Sequence, residues 1–490
     1  MWADKLLDAV MERRYTKEWP EKFRAGFEEL FGASSGRYPE AARRVVTLRA
    51  PAPAEANEGF VPFAALIHPS NPNSGPYGGT SIAVFPGNDT ECLITFVVGT
   101  NGLAPDEGIL GRPGHARKTN ALCAWLNKKH GRLVAWAKHD PTRLDQRIPS
   151  EVTAQFEKHS DALDKYGHVL YAMHAASPNR DDALEALTAF LDLLFSERGI
   201  PTVSRWEPEA TAIRSRWFGH LMPETSREQI SELLDTRRYV ILQGPPGTGK
   251  TRMARDLIDT EYKARGASVQ FHANTTYENF VGGLAPRTTT GDLGFQFAPQ
   301  KGFLIEAAEA ARVSNAKYLL HIDEINRADL AKVLGEAIYL LEADDLGQRS
   351  IKLPYKFDPP TEDMLQLPNN LHILGTMNSS DRSLALVDIA VRRRFAFAKL
   401  WPQISVVEQN SCELMVRAFQ QLLAIFVDHA SEESMDLVPG HSYFLEADEQ
   451  KARTRLITTL KPLLEDYLSQ GYVSSFAENI RSYMQWIDTL

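Results

Sequence analysis

The rhythm of apolar and polar positions changes twice along the 490 residues. Residues 1 to about 50 read as short helices. From Gly59 to Thr100, the runs FVPFAALIHP, TSIAVFP and ECLITFVVGT alternate with the turn-rich SNPNSGPYGG and PGND, a pattern that predicts a small sheet. The segments EVTAQFEKHSDALDKYGHVLYAMHAA (151–176) and DDALEALTAFLDLLFSERG (181–199) carry a helical period. The second stops at Gly199, with Pro201 behind it. From about residue 222, YVILQ, SVQFHAN, YLLHID and LHILGT are each followed by a helical segment. That alternation predicts an α/β domain whose parallel sheet is covered on both faces. After Trp401 the pattern is helical to Leu490. The predicted division is an α+β domain over 1–200, a linker over 201–221, an α/β core over 222–400 and a smaller helical unit over 401–490.

Composition narrows the class without naming a function. At 43% hydrophobic and 24% charged, the chain reads as an ordinary globular protein. No run approaches the ~20 apolar residues that cross a bilayer, so no membrane association is expected. The N-terminus MWADKLLDAVMERRY lacks the apolar core of a secretion signal. Cys92, Cys123 and Cys412 are far apart and lack metal-ligand spacing, which argues against a disulfide framework and against zinc. A cytoplasmic location is the expectation. The net charge of -9 excludes a generally basic nucleic-acid coat but not a local basic face.

The segment GRPGHARKTNALCAWLNKKHGR places Arg112, His115, Arg117, Lys118, Lys128, Lys129 and Arg132 around Trp125. Such a mixture could contact phosphates and stack on a base, so DNA binding through the N-terminal domain is one expectation. A solvated charged face is the competing reading. No D…ExK triad, Ser/His/Asp set or metal cluster is evident.

The middle domain carries the chemistry. YVILQGPPGTGKT fits G-x-x-x-x-G-K-[ST], a strand running into a glycine-rich loop and a helix. Gly244, Pro245, Pro246, Gly247, Thr248 and Gly249 would turn backbone N–H groups around phosphate oxygens. Lys250 would reach the β- and γ-phosphates, and Thr251 would ligate Mg²⁺. A chance glycine turn would not need a strand before it and a helix after it. In YLLHIDEINRAD, Asp323 at the strand tip is placed to hold the Mg²⁺ shell, and Glu324 to orient or deprotonate the attacking water. Alone, such an acidic pair is more often merely solvated. About 70 residues after a phosphate loop, it is the expected second half of a nucleotide site.

GTMNSSDRSLALVDIAVRRRF (375–395) runs from a strand into polar residues, then a short amphipathic helix and three arginines. Asn378, at the strand tip, could position the water. The helix, expected over 383–391, would carry Arg392, Arg393 and Arg394 away from their own chain's phosphates. One of them is expected to cap the helix C-terminus. Arg393 and Arg394 are the candidates for an arginine finger offered to a neighbouring subunit.

These residues together resemble an AAA+ P-loop core with a parallel sheet and a C-terminal helical lid. DEINRADLAKVLGEAIYLLE, MNSSDRSLALVDIAVRRRFAF and GHSYF (Gly440 to Phe444) resemble the McrB family, the GTPase motors of McrBC-type modification-dependent restriction systems. Ser379 and Ser380 depart from the family's frequent MNTADRS. YENFVGGLAPRTTTGDLGFQFAPQKGFL and QRSIKLPYKF resemble two hairpins of the wider clade. The resemblance spans about residues 222–490. It implies a homo-oligomeric ring, most often a hexamer, using GTP and Mg²⁺ and driving a separate McrC-like nuclease. No NKxD base-reading motif is present, so the residues themselves leave ATP open as the nucleotide. The competing function is a MoxR-like ATP-dependent remodelling chaperone on the same core.

Overall fold

The computed structural model describes residues 2–32, 35–49, 61–288, 295–342, 348–381 and 388–490. The chain forms two compact units, 1–223 with 427–431, and 224–426 with 432–490.

The first unit is built on an antiparallel sheet of β1 (Thr47–Arg49), β2 (Ala64–Ile67), β3 (Thr80–Phe85), β4 (Leu93–Val98), β5 (Ala135–Ala137) and β6 (Leu170–Ala175), in the order β1-β2-β3-β4-β6-β5. Both faces are covered, which explains why its strands read as unbroken apolar runs. Ile82, Val84, Ile94 and Phe96 join one core, and Ala83, Phe85, Leu93 and Val97 join another. Successive side chains point to opposite faces, so each run feeds both layers. The first layer includes the helices Pro113–His130 and Arg180–Glu197, where Phe96 stacks on Phe190 at 5.1 Å.

Three expectations are corrected in this unit. The helical segment predicted over 151–176 contains β6, because Leu170–Ala175 is short, almost wholly buried and paired on both sides with other strands. Periodicity alone cannot separate such a run from a helix. The predicted linker 201–221 contains the helix Glu207–Phe218, which buries Ile213 and Trp217 in the first core. The basic segment is largely absorbed by the fold. Arg112 and Lys118 pair with Glu197 at 2.6 and 2.8 Å, Lys129 pairs with Asp182 at 2.6 Å, and Trp125 is buried. Trp125 cannot stack on a base, whereas Lys128 and Arg132 remain exposed.

Burial also holds three histidines of this unit neutral. Desolvation lowers His115 and His159 to about 4 and His174 to about 3, from an ordinary 6.5. An unfolded chain therefore takes up these protons first. The stability they contribute is complete above pH 6.5 and is lost as pH falls toward 4. The loss is limited to roughly 1.4 kcal/mol per histidine per pH unit. The urea midpoint is expected to drop between pH 7 and pH 5; equal midpoints would refute this account.

The second unit holds a parallel sheet of β7 (Tyr239–Gly244), β8 (Gly266–Gln270), β11 (Tyr318–Asp323), β14 (Leu371–Asn378) and β15 (Ala396–Lys399), ordered β15-β7-β14-β11-β8. Between them, β9 (Gly282–Thr288) and β10 (Phe295–Lys301) form an antiparallel hairpin, and β12 (Ile351–Lys352) pairs with β13 (Met364–Leu365). The chain leaves β7 toward β8 at one edge and β14 toward β15 at the other. A crevice therefore opens at the C-terminal ends of β7 and β14, where open α/β sheets bind ligands. The strand β15 has no counterpart among the predicted runs, since AFAK is short and only half-buried. The lid contains the helices Ile404–Asn410, Glu413–His429, Glu449–Arg455, Lys461–Ser469 and Ala477–Asp488. Of the helix expected over 383–391, residues 382–387 lie outside the described residues, as does the hairpin segment 289–294.

Candidate functional site

At the end of β7 the chain turns through Gly247 and Gly249, both at φ +81°, and enters the helix Lys250–Thr260. Only glycine takes that conformation without a Cβ penalty, so the turn needs these two residues. The helix N-terminus leaves N–H groups directed toward the loop. Lys250 is buried beside it and donates to the carbonyls of Gly244 and Pro245 at 2.9 and 2.8 Å. Thr248 Oγ1 donates to Pro245 O at 2.9 Å. Burial pulls the Lys250 ammonium down to about 8, against the opposing pull of Glu324, Asp323 and Asp381.

Sheet register brings the remaining groups to the same edge. Asn378 lies opposite Gly244 in the β14–β7 pairing, and Ser379 N–H donates to Gly244 O at 3.0 Å. From the loop side, Thr251 Oγ1 donates to Asp323 Oδ1 at 3.1 Å. Thr376 donates to the same oxygen. His321 lies behind them, with Nδ1 2.9 Å from Ser268 Oγ, and burial lowers it to about 4. A hydroxyl and a carboxylate converging in this way are hard oxygen donors, the set that Mg²⁺ prefers, so Thr251 and Asp323 fit that ion.

Glu324 follows Asp323 in a left-handed conformation at φ +51°. A non-glycine residue there carries strain on the order of 1 kcal/mol, and the surroundings hold it in place. Asn378 Nδ2 donates to Glu324 Oε1 at 2.8 Å, and Arg327 Nε lies 3.3 Å from Oε2. Arg327 also reaches Asp381 at 3.3 Å. The carboxylate and amide proposed to handle the water therefore touch. Sequence reasoning missed Arg327, although its place three residues after Glu324 was a signal for such a pair.

The arginines divide. Arg394 has a side chain only 8% exposed; Nη1 donates to Ala390 O at 2.7 Å and Nη2 lies 3.1 Å from Glu342. It takes the helix-capping part, and its burial argues against the finger role expected of it. Arg393 is 65% exposed and meets the same Glu342 oxygen at 3.3 Å. Arg392 lies over the Phe397 ring at 5.6 Å.

The motif Gly440 to Phe444 lies against the phosphate loop, a placement its sequence did not reveal. Gly440 N–H donates to Pro246 O at 2.9 Å and Ser442 N–H to Gly247 O at 3.0 Å. A Cβ on Gly440 would fall 2.1 Å from the Gly247 carbonyl carbon, so only glycine permits the approach. Arg455 fixes the segment from behind, donating to Ser442 O at 2.8 Å and Tyr443 O at 3.2 Å.

A family model described as AAA domain (dynein-related subfamily) matches residues 239–395. Over 361 residues the chain is 30% identical to the Type IV methyl-directed restriction enzyme EcoKMcrB subunit of Escherichia coli (strain K12). That match covers 67% of this chain and 77% of that protein. Over 209 residues it is 27% identical to the Type II restriction enzyme BsuMI component YdiS of Bacillus subtilis (strain 168), covering 35% of this chain and 60% of that one. Among solved structures, a putative ATPase from Cytophaga hutchinsonii covers 51% of this chain and 88% of its own at 13% identity and a TM-score of 0.24.

Proposed function

Because the chain belongs to the McrB family of AAA+ P-loop nucleoside triphosphatases, we propose that it is the GTP-driven ring motor of a modification-dependent restriction system. In this reading it forms a homo-oligomer, a hexamer by family resemblance, and drives a separate McrC-like nuclease. The observation that carries the chemistry is the convergence of Lys250, Thr251, Asp323, Glu324 and Asn378 at adjoining strand ends.

Lys250 and the loop N–H groups bind the phosphates. Thr251 and Asp323 would hold Mg²⁺, which supplies charge neutralisation at the phosphate oxygens. Glu324 takes the proton from water, and Asn378 holds Glu324 and water in register. Arg393 of the adjoining subunit meets the charge that develops on the transferred group. Preference for GTP over ATP rests on the family alone. DNA contact is assigned to the N-terminal unit; its sheet is covered on both faces, so loops and edges are the parts left to make it.

The test measures GTP and ATP turnover, with and without the nuclease partner and methylated DNA. GTP-dependent cleavage is the expected outcome. ATP turnover with no effect on DNA in the nuclease's presence would favour a remodelling chaperone instead. Lys250→Ala is expected to raise the nucleotide Kd by at least ten-fold, read by fluorescent-nucleotide titration. Unchanged affinity would remove Lys250 from the phosphate site.

A further inference from the structure

We propose that Glu342 is the positioning residue that aims Arg393 at the nucleotide of the adjoining subunit, an inference that rests on the trans role given to Arg393 above. Three guanidinium groups converge on one Glu342 oxygen: Arg394 at 3.1 Å, Arg393 at 3.3 Å and Arg349 at 3.7 Å. Their other contacts differ in kind. Arg394 is buried and tied to Ala390 O. Arg349 donates to Tyr339 O at 3.2 Å and lies over the Tyr339 ring at 4.6 Å. The backbone entering Glu342 is anchored by the buried Leu340 and Leu341.

The carboxylate therefore has two arginines besides Arg393 around it and a buried stretch of backbone leading into it. Arg393, mostly exposed, receives from it a fixed point for one nitrogen. The contact with Glu342 uses one nitrogen of the Arg393 guanidinium, whose fork of N–H donors can also meet a further anion such as a phosphate. A long side chain ordered before it meets that anion loses less freedom on doing so. Glu342 acts only through Arg393 and does not touch the reacting groups.

The experiment is steady-state hydrolysis by full-length Glu342→Gln, which keeps the side-chain volume and removes the charge. A roughly ten-fold fall in kcat with an unchanged KM is expected, since the cluster acts on the transition state and not on binding. Equimolar mixing with Asn378→Ala should restore activity above both parents, because some interfaces then join an intact Asn378 to an intact Glu342–Arg393 pair. A thermal midpoint is recorded for each variant, and mixed-ring formation is verified independently. Wild-type or higher kcat in Glu342→Gln would overturn the inference. So would a loss that mixing fails to restore while Arg393→Ala mixed with Asn378→Ala does recover. If that reference mixture also stays inactive in verified mixed rings, the trans role of Arg393 falls, and this inference with it.

Discussion

Glu324→Gln is expected to keep nucleotide bound and the protein assembled while lowering turnover by about two to four orders of magnitude, the usual worth of a positioned proton acceptor. The substitution is nearly isosteric, so the left-handed turn at Glu324 and the contact with Asn378 survive. An amide oxygen still accepts from Asn378 Nδ2, but it cannot take a proton from water. Asp323 and Thr251 are untouched, so affinity for the Mg²⁺ nucleotide should hold. The measurement pairs kcat with the Kd of a slowly hydrolysed analogue. Normal turnover would show that some other group activates the water.

The second large effect separates two neighbouring arginines. Arg393→Ala is expected to lower kcat about 10³-fold or more, with an unchanged melting temperature, because its side chain is mostly exposed. Arg394→Ala should instead destabilise the second unit. It removes a hydrogen bond to Ala390 O and strips a partner from Glu342 in a largely desolvated setting. The wild-type rate per subunit should rise with protein concentration if Arg393 works across an interface. Full turnover by a protein that sedimentation shows to be monomeric would exclude that role.

The nucleotide site was unusually legible because its parts are local. A strand, a glycine loop and the start of a helix fall within thirteen consecutive residues, Tyr239 to Thr251, and two carboxylates stand at the end of another strand. What the sequence concealed depended on contacts between distant segments. Nothing in Gly440 announces that Gly247 lies against it, and Glu342 gives no local sign that three arginines share it. The α+β character of the N-terminal unit was legible, but its strand at 170–175 was not, for a related reason. A run such as Leu170–Ala175 is buried at nearly every position once both faces of its sheet are covered, and it then loses the alternation that identifies a strand. The basic residues of the helix Pro113–His130 looked available because Glu197 and Asp182, which neutralise several of them, lie 50 or more positions downstream.

The lid segment hydrogen-bonded to the phosphate loop has a mechanical consequence. The carbonyls of Pro246 and Gly247 accept from the lid, while the loop's N–H groups are those proposed to meet the phosphates. The same peptide units thus carry both attachments. A rotation of those units on phosphate binding would pull on Gly440 and Ser442, which Arg455 ties to the helix Glu449–Arg455. The loop would then act as a crank. The lid would be its lever arm, and the close approach at Gly440 leaves the linkage little play.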